Sequence, residues 1–174
     1  EMTWMEIRDA MKTGKDTVIV ATGGLEQNGP YLVSAKHNIV LRATTEALAR
    51  KLGNAVVSSI VQFVPEGNID PPSGPMKYAG TISLSPATYE ALLTDIASSL
   101  KGTGFRTIVF IGDSGGNQAG MKNVADALNP KWAAAGASNR VYFVPEYYQY
   151  PALHEWIEKT MGIIFALLLS TGHL

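Results

Sequence analysis

Residues 17–37 read Thr17-Val-Ile-Val-Ala-Thr-Gly-Gly-Leu-Glu-Gln-Asn-Gly-Pro-Tyr-Leu-Val-Ser-Ala-Lys-His37. The run Thr17 to Ala21 is β-branched and uninterrupted, as a strand buried on both faces requires. A glycine-rich loop, Gly23 to Ala35, follows it. His37 to Leu52 then reads as a helix closed by Gly53. One strand, one loop and one helix in that order are the start of a parallel α/β unit.

The same alternation continues outward. Upstream, Thr3 caps a short helix, Trp4 to Met11, that stops at Gly14. Downstream, Ala55 to Phe63 reads as a second strand. A loop rich in proline and glycine runs from Pro65 to Gly80. After Thr81 to Leu84, Ser85 and Pro86 open a helix that reaches about Leu100. Thr107 to Ile111 is a third buried strand. A tight loop, Gly112 to Asn117, leads into a helix to Leu128; Val141 to Val144 is a fourth strand, and Tyr150 to Met161 reads as helical. The pattern predicts a three-layer αβα fold with a mostly parallel sheet, and one domain over residues 1–174. Ligands of such sheets bind beyond the carboxyl ends of the strands. The loops Gly23 to Ala35 and Gly112 to Asn117 both leave strands there.

Composition narrows the function classes. The 174 residues are 46% hydrophobic and 17% charged, with 14 basic and 15 acidic side chains and a net charge of −1. No basic stripe marks a nucleic-acid surface. Without cysteine there is no disulfide or thiolate metal site. The longest uncharged apolar run, Ile163 to Leu169, is too short to span a membrane. A soluble protein is expected, cytoplasmic by default, and periplasmic or secreted if a signal peptide preceded Glu1.

Two segments could carry chemistry. In the first, Glu26 sits just past a buried strand end, where a carboxylate is costly without a partner. His37 opens the next helix, and the two together make a metal half-site. The plainer alternative is that Glu26 caps a helix and His37 is a partly exposed helix residue. The second segment is Gly112-Asp113-Ser114-Gly115-Gly116-Asn117. It fits a nucleophile elbow with Ser114 as nucleophile, His154 as base and Asp126 or Glu146 as its orienter. It equally fits a loop in which Asp113 ligates a metal and the glycines approach a substrate, or a glycine turn that merely starts a helix. Glu66 and Asp70, in the long loop, read as solvated charges.

Three blocks together resemble the creatininase (creatinine amidohydrolase) family. Its first motif, roughly Gly-x-x-Glu-Gln-His-Gly-Pro-His-Leu-Pro-Leu-x-Thr-Asp, is matched in frame by Gly23 to His37, with Glu26, Gln27, Gly29, Pro30 and Leu32 in common. Its Gly-Thr-Ile-Ser element is Gly80-Thr81-Ile82-Ser83. Its Asn-Gly-His-Gly-Gly-Asn loop aligns with Gly112 to Asn117, sharing Gly115, Gly116 and Asn117. The departures fall on the family's metal ligands. Glu26 is kept, but Asn28, His37 and Ser114 stand where the family has His, Asp and His, and Tyr31 replaces a further His. Asp113 adds a carboxylate. The family's usual His/Asp/Glu block near the C-terminus has no counterpart in the apolar tail, residues 161–174.

The resemblance implies a divalent metal, zinc or manganese, held by a rearranged set of Glu26, His37 and Asp113. It implies hydrolysis of a C–N amide bond of a small molecule, cyclic amides included, with Glu26 and Asp113 as the catalytic carboxylates. Asn28, Tyr31, Ser114, Gly115, Gly116 and Asn117 would contact the substrate, with the N–H groups of Gly115 and Gly116 facing the oxyanion. It also implies a homo-oligomer, a hexamer by family habit. A metal-free serine hydrolase using Ser114 and a non-catalytic assembly or binding protein are the competing expectations.

Overall fold

The structure is a computed structural model that describes residues 1–148 together with Glu155 and Lys159. The expected helix from Tyr150, the tail 161–174, His154 and His173 lie outside the described residues. Four strands form one sheet in the order β2-β1-β3-β4, every neighbouring pair parallel. They are β1 (Thr17–Thr22), β2 (Ala55–Val57), β3 (Thr107–Gly112) and β4 (Arg140–Phe143).

Alternation along β1 splits the core in two. Val18 and Val20 join Ile108 and Phe110 of β3 under Tyr89, Leu93 and Ala97 of helix α3 (Pro86–Gly102) and Met121, Val124 and Leu128 of α4 (Gln118–Ala134). Ile7 and Met11 of α1 (Trp4–Lys12) pack on that same cluster. Ile19, Ala21 and Ile111 face the other way, against Leu41 of α2 (Lys36–Leu52). Helices therefore cover both faces of the parallel sheet.

Local signals fix the ends of these elements. Thr3 and Glu6 close a capping box on α1, and Ser85 accepts the Thr88 N–H at the start of α3. Gly53 ends α2 with φ 77°, a left-handed conformation that glycine adopts freely.

Two boundaries differ from the sequence reading. The second strand is regular only over Ala55–Val57. Its pairing with β1 shifts from Ile19↔Val57 to Thr22↔Val61, so one extra residue is taken up between them as a bulge. Helix α4 runs past Leu128 to Ala134, with Pro130 inside it. No helix among the described residues is long and apolar enough to cross a membrane.

The strand order places the site. β1 lies between β2 and β3, so the chain leaves β1 toward β2 and later returns on the opposite side. That reversal opens a crevice between the loops after β1 and after β3, the position where such sheets bind ligands.

Candidate functional site

The polypeptide at this crevice is held by neutral amides. Asn117, fully buried, donates from Nδ2 to the Thr22 and Gly23 carbonyls at 2.7 and 2.9 Å and to Thr22 Oγ1 at 2.8 Å. Asn38 accepts the Gly24 N–H at 3.2 Å and donates to the Gly24 carbonyl at 3.1 Å. A Cβ on Gly23 would stand 1.8 Å from Asn38 Oδ1, so this close approach needs glycine.

Inside that framework sits a charged cluster. The His37 ring, 3% exposed, lies between two carboxylates: Nδ1 is 2.8 Å from Asp113 Oδ2 and Nε2 is 2.7 Å from Glu26 Oε1. Burial opposes a charge on the ring, but the hydrogen bonds to Asp113 and Glu26 prevail and raise its pKa to about 9. Burial likewise opposes the charge on Glu26. The hydrogen bond from His37 and its positive charge outweigh burial and hold that carboxyl below its ordinary range.

A further carboxylate completes the cluster. Glu66 is only 4% exposed, which corrects the expectation of a solvated loop charge. It accepts a hydrogen bond from Ser114 Oγ at 3.3 Å through Oε2. Its own N–H donates to Ser83 Oγ at 2.9 Å. Burial and the negative charge of Glu26 push its pKa up to about 8. The Glu26 and Glu66 carboxylates face each other; a proton on one of them would turn that contact into a hydrogen bond. Oε1 of Glu66 otherwise has no partner. Two glycines admit this residue. A Cβ on Gly24 would meet Glu66 Oε1 at 2.1 Å, and one on Gly116 would meet the Pro65 carbonyl oxygen at 1.9 Å. Sequence reasoning missed Glu66, although Pro65-Glu66-Gly67 follows the second strand region just as Glu26 and Asp113 follow β1 and β3.

The other candidates divide. Asn28 braces its own loop, donating to the carbonyls of Glu26 at 3.0 Å and Val33 at 3.4 Å. Asn117 has no solvent-facing surface and serves the framework, not a substrate. Tyr31 is 85% exposed on the loop, whereas Gly115 and Gly116 lie exposed at the mouth of the crevice. Tyr148, which sequence gave no reason to suspect, lies with its hydroxyl against Gly115. Burial and the charges of Glu26, Asp113 and Glu66 raise its pKa. For the serine reading, Ser114 contacts a carboxylate, and Asp126 is exposed on α4 and paired with Lys122 at 2.5 Å.

The family model for creatininase, described as creatinine amidohydrolase, matches residues 1–161. The chain belongs to the creatininase family. Solved creatininases share its fold. A tryptophan-to-alanine creatininase mutant superposes with a TM-score of 0.75 at 23% identity, over 91% of this chain and 61% of that one. A creatininase mutant complexed with creatine gives 0.74 at 22% identity, over 92% and 62%. A manganese creatininase gives 0.73 at 23%, over 91% and 61%; a further creatininase structure is of the Zn-Zn type. The chain thus spans about three-fifths of the length of these creatininases. No curated protein matches it by sequence.

A divalent ion, which the family implies, can be tested against these donors. Glu26, His37 and Asp113 do not point at one position: the two carboxylates occupy opposite nitrogens of a single ring. One ion cannot bind both nitrogens, so these three cannot all be direct ligands. Among the described residues no three His, Asp or Glu side chains form an open cage as the cluster stands. It is closed on protons. The chemistry nevertheless suits zinc or manganese, with carboxylate oxygens, an imidazole and one buried carboxylate oxygen, Glu66 Oε1, lacking any partner. Donors of a tetrahedral zinc stand about 3.4 Å apart. Nε2 and Glu26 Oε1 are 2.7 Å apart, so losing the shared proton and separating by under about 1 Å would open the site. The donors fit an ion on the Nε2 side of His37.

Proposed function

We propose that this chain is a metal-dependent hydrolase of amide C–N bonds in small molecules, cyclic amides included. The observation that carries the proposal is the buried His37 imidazole held between Glu26 and Asp113 at the switch point of the sheet. Membership of the creatinine amidohydrolase family supports the reaction class. The zinc and manganese forms of related creatininases support the choice of ion.

Glu26 and Nε2 of His37 would hold the ion. When bound, it would lower the pKa of a water and polarise the substrate carbonyl. The rest follows from the chain's own groups. Asp113 accepts the Nδ1 proton and so presents Nε2 to the crevice. Glu26 takes the proton of the attacking water. Oxygen adds to the carbonyl carbon, the C–N bond breaks, and that proton passes to the leaving nitrogen. The N–H groups of Gly115 and Gly116, at the start of the turn into α4, lie where an oxyanion would need donors. Tyr31, Leu32, Val33 and Ile39 expose apolar side chains beside the crevice. A homo-oligomer, a hexamer by family resemblance, would cover them.

The test is turnover of an amide substrate. A chelator should abolish activity and added zinc or manganese should restore it, while Ser114→Ala keeps a measurable rate. Activity that survives complete metal removal but disappears in Ser114→Ala would establish the serine reading instead. No bound metal and no turnover would place the chain among non-catalytic binding proteins.

A further inference from the structure

We infer that Glu66 is a direct ligand of the ion, beside Glu26 and Nε2 of His37, and that Asp113 is a positioning residue behind the ring rather than a ligand. The inference rests on the metal reading above and assigns its donors.

Three observations lead to it. The first is the orphaned oxygen. Glu66 is 96% buried by its 4% exposure, and Oε1 has no hydrogen-bond partner. A buried carboxylate oxygen without a donor is retained at a cost unless something positive meets it. The second is its neighbour. Glu66 faces Glu26, and two ionised carboxylates cannot bond to each other without a proton or a cation between them. The third is how the residue is delivered. Ser114 holds Oε2, Ser83 holds the backbone N–H, and the missing side chains of Gly24 and Gly116 let the Pro65–Glu66 segment press against both strand-end loops. A carboxylate needed only for solubility would not require two glycines and two serines to bury it.

Asp113 is placed differently. Its Oδ2 meets Nδ1, on the side of the ring away from Glu26. That is the carboxylate–histidine–metal arrangement, in which the outer carboxylate fixes the tautomer and orientation of the ligating ring. Two carboxylates and one imidazole then leave a position open for water or substrate, as catalytic zinc sites do.

The experiment is zinc and manganese binding by isothermal titration to the full chain and four variants, with circular dichroism and melting as controls for folding. Glu66→Gln should weaken binding about 100-fold or more, alongside Glu26→Gln, because a lost ligand costs more than a lost supporting partner. Asp113→Asn should weaken it about 10–100-fold with one ion still bound, and Asp113→Glu should recover part of that loss. Cobalt(II) substituted into the site should give a spectrum that Glu66→Gln alters and Asp113→Asn largely preserves. A Glu66→Gln chain that binds as the parent does, or an Asp113→Asn chain that loses stoichiometric binding and the cobalt bands, would overturn this assignment and leave the metal reading standing. A parent chain that binds neither ion would overturn both.

Discussion

Asn117 and Asn38 sit at the same strand ends as Glu26, His37, Glu66 and Asp113, and the two groups are built to opposite rules. The asparagines are neutral, and their Nδ2 groups donate to carbonyls of Thr22, Gly23 and Gly24. Their energy goes into holding the backbone of β1 against the loop after β3 and the start of α2. The charged group holds a ring between two carboxylates and presses a further carboxylate, with a partnerless oxygen, against one of them. Comparable burial thus serves different ends: neutral satisfied amides confer stability, and charged, incompletely partnered groups store capacity for a ligand.

Breaking each half should separate these roles. The largest effect on stability is expected from Asn117→Ala, which strips donors from two buried carbonyls; it should destabilise the chain by about 3 kcal/mol in urea unfolding. A loss below about 1 kcal/mol would mean that water or a neighbour replaces the amide. Gly116→Ala should cost about 2 kcal/mol, since its Cβ meets a backbone oxygen that cannot rotate away. The same substitution should weaken zinc binding, because the segment it displaces carries Glu66. Intact zinc affinity in a destabilised Gly116→Ala chain would detach the glycine from the site. Smallest and opposite in sign, Glu66→Gln should stabilise the metal-free chain by about 1 kcal/mol, removing a charge that has no partner. A fall in melting temperature on that change would show Glu66 to be part of the framework.

The contrast also explains what was legible beforehand. Glu26, His37 and Asp113 could be picked from the sequence because each follows a strand or opens a helix, and strand ends converge in a parallel sheet. Glu66 escaped because the second strand is interrupted after Val57 by the extra residue that shifts its register. Its carboxylate therefore read as part of a long proline-rich loop. Asn117 and Asn28 were assigned to substrate because an amide at a strand end suits either role, and only hydrogen-bond partners distinguish them.

Local chemistry settled the elements: the β-branched run of β1, the capping box at Thr3 and Glu6, the serine and proline before α3 and the glycine after α2 each act within a few residues. From their order the parallel sheet and the location of the crevice followed. Tertiary structure decided which groups share the crevice. Side chains 11, 76 and 48 positions apart in the chain meet as Glu26 with His37, His37 with Asp113 and Glu66 with Ser114. It also decided which nitrogen of His37 each carboxylate takes, and hence which of them an ion can reach. Those outcomes depend on loop paths and on the space left by glycines, which are properties of several segments packed together and of no one segment's sequence.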